Sequence, residues 1–95
     1  MPEMRFRVSW PDGTSETCYS PSLVIKDYFV VGKSYSLADF LTRSRAALKI
    51  ASDRVQAKYG HPCSRALAQL ARIESVLQAF AGTPGARIAI DAFEE

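Results

Sequence analysis

Cys18, Cys63 and His61 are the residues whose side chains could serve nucleophilic, redox or metal chemistry. A thiol acts as a nucleophile or metal ligand in its thiolate form, and the first turn of a helix, where we place Cys63, lowers a thiol pKa. One interpretation is therefore a redox or metal-binding pair of Cys18 and Cys63, with His61 beside it. The other is two buried thiols that act as small apolar side chains. The sequence favours the second, because free cysteine is among the most buried residue types.

The shortage of histidine and cysteine excludes several kinds of site. One histidine and two cysteines cannot form a Cys₄ or Cys₂His₂ zinc site without carboxylates or a second chain. A Ser-His-Asp triad would have to use His61, for which the sequence identifies neither a nucleophile nor an orienting partner, so a loop or capping role is favoured. The two glycine-rich phosphate-binding motifs, G-x-x-x-x-G-K-[ST] and G-x-G-x-x-G, are both absent from the sequence. We expect no metal and no cofactor, and a non-enzymatic protein is favoured over an enzyme that uses Cys18 and Cys63.

Length and composition indicate a soluble globular protein. The 95 residues are 47% hydrophobic, which is enough for one core and predicts a single domain over 1–95. The net charge of +2 is too small to indicate nucleic-acid binding by itself. Apolar runs are too short to span a bilayer, and the N-terminus lacks the apolar segment of a signal peptide. We therefore expect a cytoplasmic protein.

A hairpin opens the chain. Residues 4–10 alternate between apolar and polar side chains, which predicts a half-buried strand. Turn residues follow at 11–13, and residues 14–20 return as a second strand. A type I turn with a glycine bulge places Cys18 opposite Phe6 on the apolar face.

Two helices follow. The first is predicted over 37–59, with Ser36 as its N-cap and Gly60 at its C-terminal end. The second is predicted over about 63–81. The segment 22–34 is apolar without a clear period, so a short strand and a packed loop both fit. The positions predicted to face the core are Leu37, Leu41, Ser44, Leu48, Ala51, Val55 and Tyr59 in the first helix, and Cys63, Ala66, Leu67, Leu70, Ile73, Leu77 and Phe80 in the second.

The complete order is β-β-α-α-β, with a third strand over 87–93. This order predicts an α+β two-layer sandwich, in which two antiparallel helices cover one face of a three-stranded sheet. The direction of the chain through the helices puts the third strand beside the first and roughly parallel to it.

Two surfaces are candidates for interaction. On the outer sheet face, Arg5 and Arg7 lie beside Tyr19 of the partner strand. Basic residues beside an aromatic residue can bind nucleic acid, but a solvated face or one covered by another subunit is favoured at this net charge. The second surface is a stripe on the outer side of the long helix, formed by Ala46, Ile50 and Ala57. Small residues at this spacing suit either solvent or a dimer contact.

Two stretches together resemble a known family. Trp10-Pro11-Asp12-Gly13 is followed by Cys18-Tyr19-Ser20-Pro21-Ser22, and Ala51-Ser52-Asp53-Arg54-Val55 runs to Lys58-Tyr59-Gly60 and Cys63. In these stretches and in length, the chain resembles small bacterial nitrogen-starvation response proteins. The resemblance implies a gene cluster with a nitrilase, a radical-SAM protein, an acetyltransferase and a flavin-dependent oxidoreductase, associated with nitrogen, nitrile or cyanide assimilation. It implies no catalytic residues.

The sequence therefore favours a non-enzymatic accessory or protein-interaction module of nitrogen assimilation. We expect a homodimer that also contacts enzymes of the same cluster. The alternatives are a small thiol-dependent redox or metal module and, with less support, nucleic-acid binding through the basic faces.

Overall fold

β1 (Met4–Ser9) and β2 (Ser15–Ser20) form the expected antiparallel hairpin. The computed structural model describes residues 3–61 and 63–95. In the hairpin, Cys18 lies opposite Phe6 and Glu16 lies opposite Val8, so the predicted register is confirmed. Gly13 adopts a φ of 87°, which is the left-handed conformation that the turn requires. The alternation of side chains along β1 and β2 thus sends one set of residues inward and leaves the other outward.

Within the described residues, the sheet has four strands in the order β2-β1-β4-β3, and all neighbours are antiparallel. The expectation of three strands was wrong, because β3 (Ser34–Ser36) pairs with β4 (Arg87–Glu94) at the far edge. The parallel pairing of the first and last strands was wrong for the same reason. β3 reverses the chain once more before the helices, so β4 enters the sheet in the opposite direction.

The segment before β3 holds a short helix, α1 (Ile25–Tyr28), rather than the strand or loop that its composition suggested. Phe29 follows α1 and lies at the centre of an aromatic cluster. Its ring centroid is 5.1 Å from that of Phe40, 5.2 Å from that of Tyr35 and 6.1 Å from that of Phe6. The segment therefore joins the sheet to the helical layer through buried aromatic side chains.

The long helix α2 (Leu37–Tyr59) has the predicted bounds. Ser36 Oγ accepts a hydrogen bond of 3.2 Å from the backbone N–H of Asp39, and Gly60 ends the helix with a φ of 84°. Tyr59 was expected to face the core, but it is 56% exposed. It lies in the last turn of α2, where residues 56–60 are all exposed.

The second long helix, α3 (Ser64–Ala79), is slightly shorter than predicted, and Cys63 is its N-cap residue. Ala66, Ile73 and Leu77 are its buried side chains. Leu67 was expected to join them, but it is 51% exposed because Ala66 takes the inward position in this turn. None of the described helices is both long and apolar enough to cross a membrane.

The core lies between the helices and one face of the sheet. β1 supplies Met4, Phe6 and Val8, each no more than 1% exposed. Side chains from the other strands, the helices and the connections complete it: Trp10, Cys18, Val24, Ile25, Phe29, Tyr35, Phe40, Ala47, Leu48, Ala51, Ala66, Ile73, Leu77, Ile88 and Ile90. The opposite face of the sheet carries the outward residues of the same strands.

Candidate functional site

Cys18 is a fully buried side chain, with 0% of its surface exposed. Burial raises the pKa of its thiol to about 12, and the nearby negative charge of Glu16 acts in the same direction. A reactive cysteine requires a lowered pKa and access to solvent. The environment of Cys18 therefore matches the interpretation of a small apolar side chain in the core.

Cys63 is half-buried and packs against the core at the start of α3. Its backbone N–H donates a hydrogen bond of 3.2 Å to Ser52 Oγ. Its side chain borders a cleft of about 210 Å³, together with Tyr19 and Tyr59. Both thiols are free, so the two cysteines form no disulfide. Cys63 and Tyr19 thus line the same cleft. The Tyr19 side chain leaves β2 on the face opposite to that of Cys18.

Tyr19 is held by two charged residues. The guanidinium carbon of Arg65 lies 3.8 Å from the centroid of the Tyr19 ring, which is a cation–π contact. Tyr19 Oη donates a hydrogen bond of 3.1 Å to Glu3 Oε2. Burial raises the pKa of Tyr19, and the bond to Glu3 raises it further. Because Arg65 covers one face of the ring, that face cannot stack on a nucleotide base.

His61 is exposed in the connection between α2 and α3, and Pro62 beside it lies outside the described residues. Among residues 3–61 and 63–95, no cluster of three or more His, Cys, Asp or Glu side chains could hold a metal ion.

The stripe of Ala46, Ile50 and Ala57 is only partly on the surface. Ala46 and Ile50 are half-buried, Ile50 packs against the core, and Ala57 is exposed. The neighbouring arginines bind the segment around α1. Arg43 Nη1 donates to the carbonyl of Tyr28 at 2.8 Å, and Arg54 Nη1 donates to Ser22 Oγ at 2.7 Å. This side of α2 thus holds its own chain, and its role in binding a partner stays a prediction.

The open sheet face is the name we give to the outward side of the sheet, formed by Arg5, Arg7, Thr17, Tyr19, Ala92 and Glu94. Arg7 lies between Thr17 and Ala92 in the register, and Arg5 lies between Tyr19 and Glu94. Both arginines are exposed. Neither makes a side-chain hydrogen bond or ion pair with another described residue. The sequence prediction that Arg5 and Arg7 lie beside Tyr19 on the outer face is confirmed by the register of β1 and β2.

Asp91 interrupts the regular pairing on this face. The register of β1 against β4 shifts between Arg7 and Val8, which leaves Asp91 as the extra residue of a bulge. Ser9 Oγ donates a hydrogen bond of 2.6 Å to Asp91 Oδ2. At the far edge, Arg87 donates to Ser34 Oγ and to the Ser34 carbonyl, each at 2.9 Å. These side chains have partners within the fold, unlike Arg5 and Arg7.

The helical layer carries a second feature, which we call the helix groove. It is an open hollow of about 700 Å³ between the first half of α2 and the second half of α3. Leu37, Leu41 and Leu77 supply its large apolar side chains, and Arg45 and Glu74 form an ion pair of 3.3 Å on its walls. The full lining is Leu37, Ala38, Leu41, Arg45, Ala71, Glu74, Ser75, Leu77, Gln78 and Ala81.

This groove was not predicted from the sequence. Leu37 and Leu41 were expected in the core, whereas both are half-buried. Their spacing does mark one side of α2, and the short connection to α3 makes the two helices antiparallel neighbours. On the α3 side the groove is lined by Ala71 and Ser75 and, just beyond the helix, by Ala81, and these small side chains leave the space between the helices open.

The fold and its surfaces define a small α+β protein with a four-stranded antiparallel sheet covered on one side by two long helices. A family model described as nitrogen starvation-induced protein NitG matches residues 5–93. The chain therefore belongs to the NitG family of nitrogen starvation-induced proteins, in agreement with the resemblance found in its sequence. Neither the curated proteins nor the solved structures gave a match.

Proposed function

We propose that the protein is a cytoplasmic, non-enzymatic accessory protein of nitrogen (nitrile or cyanide) assimilation, which acts by binding a partner protein through the open sheet face. The observation that carries this proposal is the pair Arg5 and Arg7, exposed and without a described side-chain partner. The partners that the proposal names are the enzymes encoded in the same gene cluster, each tested as a separate candidate.

The position of the two arginines suits the recognition of carboxylates. They lie two residues apart on β1, so their Cα atoms are separated by about 7 Å. β1 is flanked by β2 and β4, which fixes the backbone beneath both side chains. A guanidinium group binds a carboxylate through two parallel hydrogen bonds. Two such groups on a rigid strand favour a partner surface that presents a pair of acidic side chains.

A protein partner is favoured over nucleic acid by the rest of this face. Glu94 and Asp91 place negative charge next to the arginines, so the face carries both signs of charge and does not match the uniformly negative backbone of a nucleic acid. Tyr19, the aromatic residue beside Arg5, already has Arg65 on one side of its ring. A protein surface with both signs of charge can complement such a face.

The proposal is tested with the purified nitrilase, radical-SAM protein, acetyltransferase and flavin-dependent oxidoreductase of the cluster. Each is passed over the immobilised native chain and over the double variant Arg5→Glu/Arg7→Glu. We expect at least one enzyme to bind the native chain and to lose about tenfold or more of its affinity for the variant, because a rigid arginine pair contributes a large part of a small interface.

A matched control is Lys33→Glu/Lys58→Glu, which changes the net charge by the same amount at exposed positions outside the open sheet face. Equal loss with both variants would show a general charge effect and would contradict the proposed surface. Failure of all four enzymes to bind would contradict the proposed partners. Binding of single-stranded RNA or DNA at low salt, lost at high salt and with the Arg5/Arg7 variant, would support nucleic-acid binding instead.

A further inference from the structure

Leu67 and the helix groove lie on one continuous surface. Leu67, Ala71, Glu74 and Gln78 follow one another at intervals of three and four residues, so they share one face of α3. The last three line the groove. Leu67 stands one turn before them and leaves half of its side chain in solvent. An exposed apolar side chain is thus placed beside an open apolar hollow of the same molecule.

We propose that a second copy of this chain docks on the helix groove, so that the Leu67 side chain of each copy enters the groove of the other. A two-fold axis near Ala71 would cross the two α3 helices in antiparallel directions. Position 67 of one copy then lies opposite position 75 of the other, at the border of the groove. Ala71 and Ser75 are small, which allows the helices to approach closely.

The charges on the two helices are complementary in this arrangement. α2 and α3 are antiparallel, because Arg45 contacts Glu74 and Ser52, further along α2, contacts Cys63 at the start of α3. Lys49 therefore lies one turn closer to the start of α3 than Arg45 does. With the two-fold axis near Ala71, Glu74 of the second copy lies opposite Ala68 of the first copy. This position is beside Lys49 of the first copy. Lys49 is 75% exposed and, among the described residues, its ammonium group bonds only to the exposed Asp53, so it can also pair with this carboxylate.

A second copy accounts for both halves of the surface. The same chain supplies the exposed leucine and the hollow, and the same two helices supply the acidic and the basic positions. Such self-complementarity is what an interface around a two-fold axis requires. Dimerisation through the helices does not require that a partner binds the open sheet face. A dimer joined through its helices would leave an open sheet face on each outer side.

Sedimentation equilibrium of the full chain tests the inference. We expect the native chain to dimerise at micromolar concentration and Leu67→Asp to raise the dissociation constant about thirtyfold or more, because each dimer loses two leucine contacts. Val31→Asp is the matched control, since Val31 is 47% exposed in the connection before β3. Circular dichroism checks that both variants keep their helices. A native chain that stays monomeric at about 100 μM, or a Leu67→Asp variant with the native dissociation constant, overturns the inference.

A crosslink locates the two-fold axis. Ala71→Cys in a Cys63→Ser background places a thiol on α3 where the two copies meet, while Cys18 stays buried. Mild oxidation is expected to produce a disulfide-linked dimer with this variant and not with Thr17→Cys in the same background, because Thr17 lies on the open sheet face. Equal crosslinking at both positions, or crosslinking at position 17 alone, contradicts the proposed surface. Neither result bears on whether the cluster enzymes bind Arg5 and Arg7, so the two proposals fail separately.

Discussion

The two faces of β1 differ in burial and in chemistry, although their residues alternate along six positions of one strand. Met4, Phe6 and Val8 are in the core, whereas Arg5 and Arg7 are exposed and have no described side-chain partner. The inner face therefore supplies stability. The outer face uses the same rigid backbone to hold two charged side chains that contribute little to it. This difference is what makes the outer face a candidate for binding.

The largest effect is expected from the inner face. Phe6→Ala should lower the free energy of unfolding by about 3–5 kcal/mol, because it removes a fully buried ring next to Phe29 and leaves a cavity. Urea denaturation followed by circular dichroism measures the change. Arg7→Ala, one position along the same strand, should change it by no more than about 0.5 kcal/mol. Similar losses for the two variants would contradict the division between the faces.

The hairpin, the two long helices and most of the core could be predicted from the sequence, because each has a local signal. Pro11-Asp12-Gly13 fixes the register of β1 and β2, and Ser36 and Gly60 fix the ends of α2. β3 has no such local signal, because a strand of three residues is too short to show an alternation of apolar and polar side chains. Missing this strand also reversed the predicted direction of β4.

The candidate surfaces were predictable to different degrees. Strand alternation alone places Arg5 and Arg7 on one face, so this part of the site followed from the sequence. The helix groove depends on which side of α2 meets which side of α3, and no pattern within one helix contains that information. The exposure of Leu67 has the same origin, because it depends on which side of α3 faces the core, and in this turn Ala66 faces inward.

Cys18 and Thr17 sharpen the comparison on β2. Because burial raises the pKa of Cys18 from its usual value of 9.0 to about 12, its thiolate fraction at pH 8 is about a thousandfold lower than that of an ordinary thiol. In a Cys63→Ser background, Cys18 should react with iodoacetamide only through unfolding. Thr17→Cys in a Cys18→Ala/Cys63→Ser background should react as an exposed thiol does. Rapid alkylation of Cys18 in the folded chain would revive the thiol-dependent alternative.

The same pKa shift predicts a dependence of stability on pH. The unfolded chain releases the Cys18 proton above pH 9, while the folded chain keeps it until about pH 12. The folded state then binds more protons, so stability falls as the pH rises between these values. Cys18→Ala should lack this part of the fall. The test compares the urea midpoints of the native chain and the variant at pH 8 and pH 10.5.

A smaller loss of stability is expected from Arg54, which bonds within the fold, than from Phe6. Arg54 can be compared with Arg5, which has no described side-chain partner. Arg54→Met removes a hydrogen bond of 2.7 Å to the buried hydroxyl of Ser22 and should lower the free energy of unfolding by about 1–2 kcal/mol. Arg5→Met should leave it within about 0.5 kcal/mol of the native value. A larger loss from Arg5→Met than from Arg54→Met would show that the open sheet face is part of the structural framework.

The most direct test of the open sheet face as a binding surface applies two readouts to one protein, Arg5→Glu/Arg7→Glu. We expect the unfolding free energy of this variant to lie within about 1 kcal/mol of that of the native chain, because both side chains are exposed. We also expect its affinity for the enzyme that binds the native chain to fall about tenfold or more in isothermal titration calorimetry. A variant that keeps its stability and binds this enzyme with native affinity would contradict the role of the open sheet face in binding.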